Sequence, residues 1–155
     1  MSERHSILNY TTTISAQGTV GEITELLANA KAEAILSEYK DGLVVAVSFR
    51  IRTEFGVLTF RLPANVDQVY VVLHRSKGIP SRLRTRDQAT RVAWRIVKAW
   101  LGAQLALIRA GLASLDQIFL PFAQDVSGAT LYELRTNQRA TIRDSDLRRK
   151  PITSR

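Results

Sequence analysis

Alternating apolar and polar residues between residues 34 and 62 predict an antiparallel sheet. The segment EAILSEY is followed by Lys40-Asp41-Gly42 and then by LVVAVSFRIRT, and the Asp-Gly pair predicts a tight hairpin turn between two strands. A second turn around residues 53–56 leads to a third strand, VLTFRL. One sheet face is predicted to be core and carries Val45, Val47, Phe49, Ile51, Leu58, Phe60 and Leu62. The other face is predicted to be wet and basic and carries Ser48, Arg50, Arg52, Thr59 and Arg61.

Two more segments have the composition of strands. Residues 10–15 (YTTTIS) are rich in threonine and in aromatic or β-branched residues, which favour a first strand. Residues 129–136 (ATLYELRT) alternate again and predict a late strand.

Helical spacing of apolar residues, together with capping signals, predicts four helices. A capping box at Thr19–Glu22 opens an amphipathic helix over about residues 20–32. Asn65 is a suitable N-cap for a helix from Val66 to about Arg75. A second capping box, residues 85–88, opens a long helix to about residue 110, with Gly111 as its stop. A short helix begins at residues 114–117 and is ended by Pro121.

These elements predict an α+β fold. We expect an antiparallel sheet of about four to five strands, covered on one face by helices, with one long helix in the C-terminal half. Residues 1–136 are predicted to form a single domain, and residues 137–155 a flexible basic tail, because the latter contain few apolar residues.

Composition limits the chemistry. The 155 residues include no cysteine, which excludes disulfides and thiolate chemistry. The N-terminus lacks the apolar run of a signal peptide, and no apolar run approaches membrane-spanning length, so we expect a soluble cytoplasmic protein with no membrane partner. The two histidines, His5 and His74, are far apart, and the usual nucleotide-binding and hydrolase motifs are absent. We therefore predict no enzyme activity, no metal and no cofactor.

The net charge of +8 is concentrated in two places. Residues 75–98 contain eight basic side chains and one acidic side chain, and residues 137–155 contain six and two. The rest of the chain is close to neutral. General solubility does not require such clustering, so the basic segments indicate a polyanionic partner.

The long helix carries most of the first basic segment. On a helical wheel one line collects Arg84, Gln88, Arg91, Arg95, Lys98 and Arg109, and the opposite side collects Ala89, Ala93, Ile96, Val97, Trp100, Ala103 and Leu107. Trp100 is therefore predicted to be core. Trp94 lies at the flank of the basic line, where an exposed indole could stack on a base while arginines hold phosphates. The alternative is a solvated helix face with Trp94 covered by another element.

Nucleic-acid binding is the leading prediction, with DNA favoured over RNA. Single strands are favoured over duplexes, because stacking aromatics are present and a helix-turn-helix signature is not. The tail would add affinity without reading sequence. The predicted binding residues are Arg82, Arg84, Arg86, Arg91, Trp94, Arg95, Lys98, Arg50, Arg52, Arg61, Arg148, Arg149 and Lys150.

The second half of the long helix supports a different hypothesis. The stretch AWLGAQLALIRAGL is apolar almost all round, and IFLPF follows closely behind it. Such a helix is either buried in the centre of the protein or shared with another subunit. The alternative function is therefore a protein-interaction or virion-assembly factor, with residues 99–122 as a possible homo-oligomer contact.

The segments TVGEITELLANAKAEAIL, SFRIRT, GVLTFRLPANVDQV, TRVAWRIVKAWLGAQLALIRAGL and IFLPF together resemble small uncharacterised proteins encoded by phages and mobile elements. The resemblance spans about residues 10–134. It implies a setting in which small basic α+β proteins often handle DNA, and it attaches no activity.

Overall fold

The sheet of this protein has three antiparallel strands in the order β1-β2-β3. The computed structural model describes residues 7–148, with side chains up to residue 142. The strands are β1 (Ala34–Lys40), β2 (Leu43–Thr53) and β3 (Gly56–Arg61). Asp41 and Gly42 have φ of 50° and 76°, which is the positive-φ turn that the Asp-Gly pair predicts. The α+β class and both hairpins are confirmed, but four to five strands were too many for the described residues.

A β-bulge in β2 changes which side chains face the core. Glu38 pairs with Ala46 and Tyr39 pairs with Val44, so Val45 has no partner in β1. On the side of this extra residue towards the hairpin turn, the predicted alternation of buried and exposed side chains is inverted. Val44 is therefore buried while Val45 is exposed. The prediction for Val45 was therefore wrong, whereas Val47, Phe49 and Ile51 are buried as predicted.

The N-terminal segment does not form a strand. Residues 10–15 form a turn and extended chain, which the buried Gln88 holds by donating from Nε2 to the carbonyls of Tyr10 and Thr12. Helix α1 (Ala16–Asn29) begins earlier than predicted, because Ser15 Oγ already accepts the Gly18 N–H at 3.0 Å. The predicted capping box at Thr19 was wrong, since Thr19 is fully buried inside α1.

Three further helices begin at the predicted caps. Helix α2 (Val66–Arg75) is capped by Asn65, and helix α3 (Arg86–Arg109) by Thr85, whose side chain accepts the N–H of Gln88. Helix α4 (Leu115–Phe119) has a reciprocal capping box between Ser114 and Gln117. A 3₁₀ turn, Leu120–Phe122, follows α4.

The predicted late strand is a helix, α5 (Leu131–Arg148). Thr130 Oγ1 accepts the Glu133 N–H at 3.3 Å, and Glu133 Oε2 accepts the Thr130 N–H at 2.8 Å. This capping box could have been read from the sequence Thr130-Leu-Tyr-Glu133. Helix α5 continues past residue 137, the predicted start of the basic tail.

The main core lies between the sheet and helices α1 and α3. It contains Val20 and Ile23 of α1, Phe49 and Phe60 of the sheet, and Trp94 of α3. A second cluster joins α2, the following loop and the start of α3 through Leu73, Ile79 and Ala89. Within residues 7–148, no helix is long and apolar enough to cross a membrane.

Candidate functional site

Trp94 belongs to the core and is not available as a stacking platform. Its side chain is 0% exposed, and its indole N–H donates to the Val44 carbonyl at 3.1 Å. Trp100, which was predicted to be core, is only partly buried and packs edge-on against Phe119 and Phe122. The helical wheel wrongly predicted that Trp100 would be more buried than Trp94. The reason is that the sheet contacts the flank of α3 that carries Trp94. The assignment of Trp94 to nucleic-acid binding is corrected accordingly.

The basic line on α3 is partly neutralised by α1. Arg95 forms an ion pair with Glu22 and also donates to Thr19 Oγ1, and only 17% of its side chain is exposed. Arg91 is half-buried and donates to the Gln88 side chain at 3.3 Å. Since the acid comes from α1, counting charges along α3 could not reveal the pair.

Arg84 and Arg86 are also engaged within the fold. Arg84 Nε donates to the Ile79 carbonyl at 2.9 Å, and its Nη2 lies 3.5 Å from the Ser76 carbonyl oxygen. Arg86 forms an ion pair with Asp67 of α2 and lies over the Tyr70 ring, 4.9 Å from its centroid. The hydrogen bond from Arg86, followed by its positive charge, lowers the pKa of Asp67. Arg86 and Arg95 therefore reach towards different helices.

The three arginines of the sheet lie on the exposed face, as predicted. They face away from α3, because Phe49 and Ile51 alternate with them and point into the core. Glu33 lies 3.8 Å from Arg50 and 3.9 Å from Arg52, and Glu38 lies 3.8 Å from Arg61. Two glutamates thus offset three arginines, and the sheet face does not extend the basic line of α3.

Five predicted binding residues remain: Arg82, Lys98 and three basic residues at the end of α5 and after it. Arg82 is exposed and Lys98 is half-buried, and neither forms an ion pair with another residue in the range whose side chains are described. Arg148 is the last residue of α5, and its side chain lies outside the described set. Arg149 and Lys150 lie beyond the described residues.

The second half of α3 is not buried all round. Leu101 and Leu105 are in the core, whereas Ala99, Ala103 and Leu107 are exposed. The helix is therefore amphipathic in its contacts, although its sequence is almost uniformly apolar. Its alanine-rich outer side remains accessible.

An apolar cleft lies beside the first turn of α5. This surface cavity of about 250 Å³ is lined by Leu120, Pro121, Leu131, Tyr132 and Arg135, and we call it the α5 cleft. The exposed fractions are 41% for Leu120, 40% for Leu131 and 64% for Tyr132. The sequence interpretation missed Leu131 and Tyr132, because it placed both in a strand.

The loop before α5 fixes the geometry of this cleft. Ala123 bridges to Phe60 of β3, and the Gln124 N–H donates to the Thr59 carbonyl at 2.8 Å. The Leu131 N–H donates to the Ala123 carbonyl at 2.9 Å. Hydrogen bonds from Ser127 to the Asp125 carboxylate close the loop, and the Ser127 hydroxyl lowers the pKa of Asp125. The first turn of α5 is therefore tied to the edge of the sheet.

Among the described residues, no group of three or more histidine, aspartate or glutamate side chains is placed to hold a metal ion. Asp116 is buried at the start of α4, and its Oδ2 accepts the Glu54 N–H at 3.3 Å. That contact holds α4 against the turn between β2 and β3. Comparisons with protein-family models, with curated proteins and with solved structures find no match. The side chains themselves are therefore the basis for a functional proposal.

Proposed function

We propose that this protein is a protein-interaction module that binds a partner protein through the α5 cleft. The observation that carries the proposal is the clustering of Leu120, Leu131 and Tyr132, all exposed, around one apolar cavity. Single exposed apolar residues are common on protein surfaces, whereas large contiguous apolar patches are typical of interaction sites.

The size of the cleft favours a side chain as its occupant. Its volume of about 250 Å³ lies below the range of about 300–1,000 Å³ that is typical of small-molecule pockets. The cleft is also shallow and open to solvent, which suits an apolar side chain of a partner lying against it better than an enclosed small molecule. Tyr132 and Arg135 at its wall belong to the residue types that are enriched at the energetic centres of protein interfaces.

The connection of the cleft to the sheet supports the same function. The capping box between Thr130 and Glu133 holds the first turn of α5, and the Gln124 hydrogen bond to Thr59 holds the preceding loop. A partner would therefore meet a surface that is already ordered. Less conformational entropy is lost on binding to such a surface than on binding to a mobile one.

The rest of α5 extends the proposed surface. The helix has 18 residues, which corresponds to about 27 Å at a rise of about 1.5 Å per residue. Beyond Leu134, its described side chains are exposed and include Arg135 and Arg139. These polar residues would form the rim of an interface whose centre is the cleft. Packing against a partner would also stabilise α5, since most of the stability of helices in proteins comes from tertiary packing.

Nucleic-acid binding through α3 has less support. Trp94 lies in the core, and Arg84, Arg86 and Arg95 already make contacts within the fold. The cations that still support nucleic acid as a ligand are those of the loop before α3. The proposed partner is instead a protein of the same mobile element or of its host, in line with the resemblance to phage-encoded proteins.

Site-specific photo-crosslinking in cells that express the chain tests this function. A photoreactive phenylalanine analogue at Tyr132 keeps an aromatic ring in the cleft and reports what lies against it. We expect a discrete protein adduct, and we expect it to disappear when Leu131→Asp places a charge in the cleft. An adduct of twice the mass of the chain would identify the partner as a second copy.

Phe55 supplies the matched control. It is 71% exposed and lies in the turn between β2 and β3, so the analogue at this position is equally accessible but outside the cleft. The proposal is wrong if Tyr132 gives no adduct, or if both positions give the same set of adducts.

A further inference from the structure

The segment between α2 and α3 carries cations that have no acidic partner among the described side chains. Residues 75–84 run from the last residue of α2 through a 3₁₀ turn at Ser81–Leu83. They contain four basic side chains and no acidic one, and we call this segment the basic loop. Arg75, Lys77 and Arg82 are exposed, and none of them forms an ion pair with a residue in the range 7–142. This sets them apart from Arg86 and Arg95, which have acidic partners.

The fourth cation fixes the shape of the basic loop. Arg84 donates to the carbonyls of Ile79 and Ser76, so its side chain bridges two points of the loop. Ile79 is 4% exposed and packs with Leu73 and Ala89 in the second hydrophobic cluster. The loop is therefore anchored from inside while its other three cations point to solvent. Arg84 acts here as a positioning residue.

Two backbone donors of the same loop also lack an acceptor among the described residues. The N–H groups of Lys77 and Gly78 donate to no atom of the described residues. Gly78 has a φ of 99°, a conformation that side-chain-bearing residues rarely adopt. Exposed backbone N–H groups next to lysine and arginine are typical contacts of phosphate oxygens in protein–nucleic-acid complexes.

We propose that the basic loop binds the backbone phosphates of nucleic acid through Arg75, Lys77 and Arg82. Three cations at separate positions of an exposed loop suit a chain of phosphates better than a single small anion. Binding is independent of sequence, because contacts to phosphates carry no information about the bases. The site is separate from the α5 cleft and does not depend on it.

Fluorescence anisotropy with a labelled oligonucleotide of mixed sequence, in single-stranded and duplex form, tests the proposal. The informative variant is Lys77→Glu with Arg82→Glu, which reverses two exposed charges of the loop. At about 50 mM salt we expect its affinity to fall by about tenfold or more. We also expect the slope of log K against log salt to become shallower for each phosphate contact that is lost, by about 0.9 with the duplex and by about 0.7 with the single strand.

Lys31→Glu with Lys40→Glu is the matched control. Both lysines are exposed and lie outside the loop, so this variant changes the net charge by the same amount. Circular dichroism of both variants checks that they are folded. Retained binding in the control supports the proposal, whereas an equal loss in both variants overturns it in favour of general attraction to a basic protein. Absent binding at low salt overturns it as well, as does preferential binding to vesicles of anionic phospholipid.

Discussion

The N-terminal half of α3 and the basic loop before it are both rich in basic residues, but their charges are engaged differently. In α3, Arg86 and Arg95 are paired with Asp67 of α2 and Glu22 of α1. In the basic loop, Lys77 and Arg82 have no acidic partner among the described side chains. The sequence around α3 contains almost no acid, so both regions look unbalanced until the neighbouring helices are in place.

This difference shows that a run of basic residues predicts a binding surface only after long-range partners are known. The acids that pair with α3 are distant in the chain. Asp67 lies 19 positions before Arg86, and Glu22 lies 73 positions before Arg95. Pairs at such separations form only when the helices pack. In the basic loop, no acid among the described side chains pairs with Arg75, Lys77 or Arg82, wherever it lies in the chain.

The comparison assumes that α3 packs against the sheet through Trp94. Replacing this residue should give the largest change in the free energy of unfolding. We expect Trp94→Ala to lower the free energy of unfolding by about 3–5 kcal/mol, because it removes a fully buried ring and its hydrogen bond to Val44. Urea denaturation followed by circular dichroism measures the change. Tyr132→Ala is the control and should change stability by less than about 0.5 kcal/mol, because Tyr132 is mostly exposed. A small effect of Trp94→Ala would show that α3 presents this residue to solvent after all.

A smaller difference in the free energy of unfolding is expected between the loss of a paired arginine and the loss of an unpaired one. We expect Arg95→Met to destabilise the protein by about 1–2 kcal/mol, between the values for exposed and buried ion pairs, because Arg95 is largely covered and Glu22 is half-exposed. Arg82→Met should change stability by less than about 0.5 kcal/mol. Thermal or urea unfolding of the two variants measures the difference. Equal stabilities would mean that the Glu22 contact has no structural role and would remove the contrast between the two regions.

Local signals in the sequence predicted the elements that local interactions determine. The Asp41-Gly42 turn, the Asn65 cap and the Ser114 capping box lie where the sequence indicates, because each requires contacts within only a few residues. Errors arose where two local signals competed. Ser15 caps α1 four positions ahead of Thr19, and the capping box at Thr130 overrides the alternating pattern behind it.

The candidate sites were harder to predict, because they depend on which flank of each helix packs against the sheet. A helical wheel places Trp94 between the polar and apolar sides of α3, and only the sheet decides that it is buried against Val44. The α5 cleft joins Leu120 with Tyr132, which no pattern in the sequence connects. The basic loop is the exception, since its charge is local and was visible from composition.

The smallest effect on stability is expected for the exposed ion pair between Arg86 and Asp67. The hydrogen bond from Arg86 and its charge hold the pKa of Asp67 below the ordinary value of 3.8. A lowered folded-state pKa means that the pair stabilises the protein above that ordinary value, and that the contribution is lost as the pH falls through the folded-state pKa. In Arg86→Gln, we expect the pKa of Asp67 to rise to its ordinary range, as measured by NMR titration of the carboxyl carbon.

Asp125 provides an internal control in the same titration. Its pKa is also lowered, but the cause is the Ser127 hydroxyl followed by backbone N–H groups of its own loop. Arg86→Gln should therefore leave the pKa of Asp125 unchanged, while Ser127→Ala should raise it and leave Asp67 unchanged. An Asp67 pKa that does not respond to Arg86→Gln would show that the pair is absent in solution. Arg86 would then lack an acidic partner, as Arg82 does among the described side chains, and the basic surface would extend from the loop into α3.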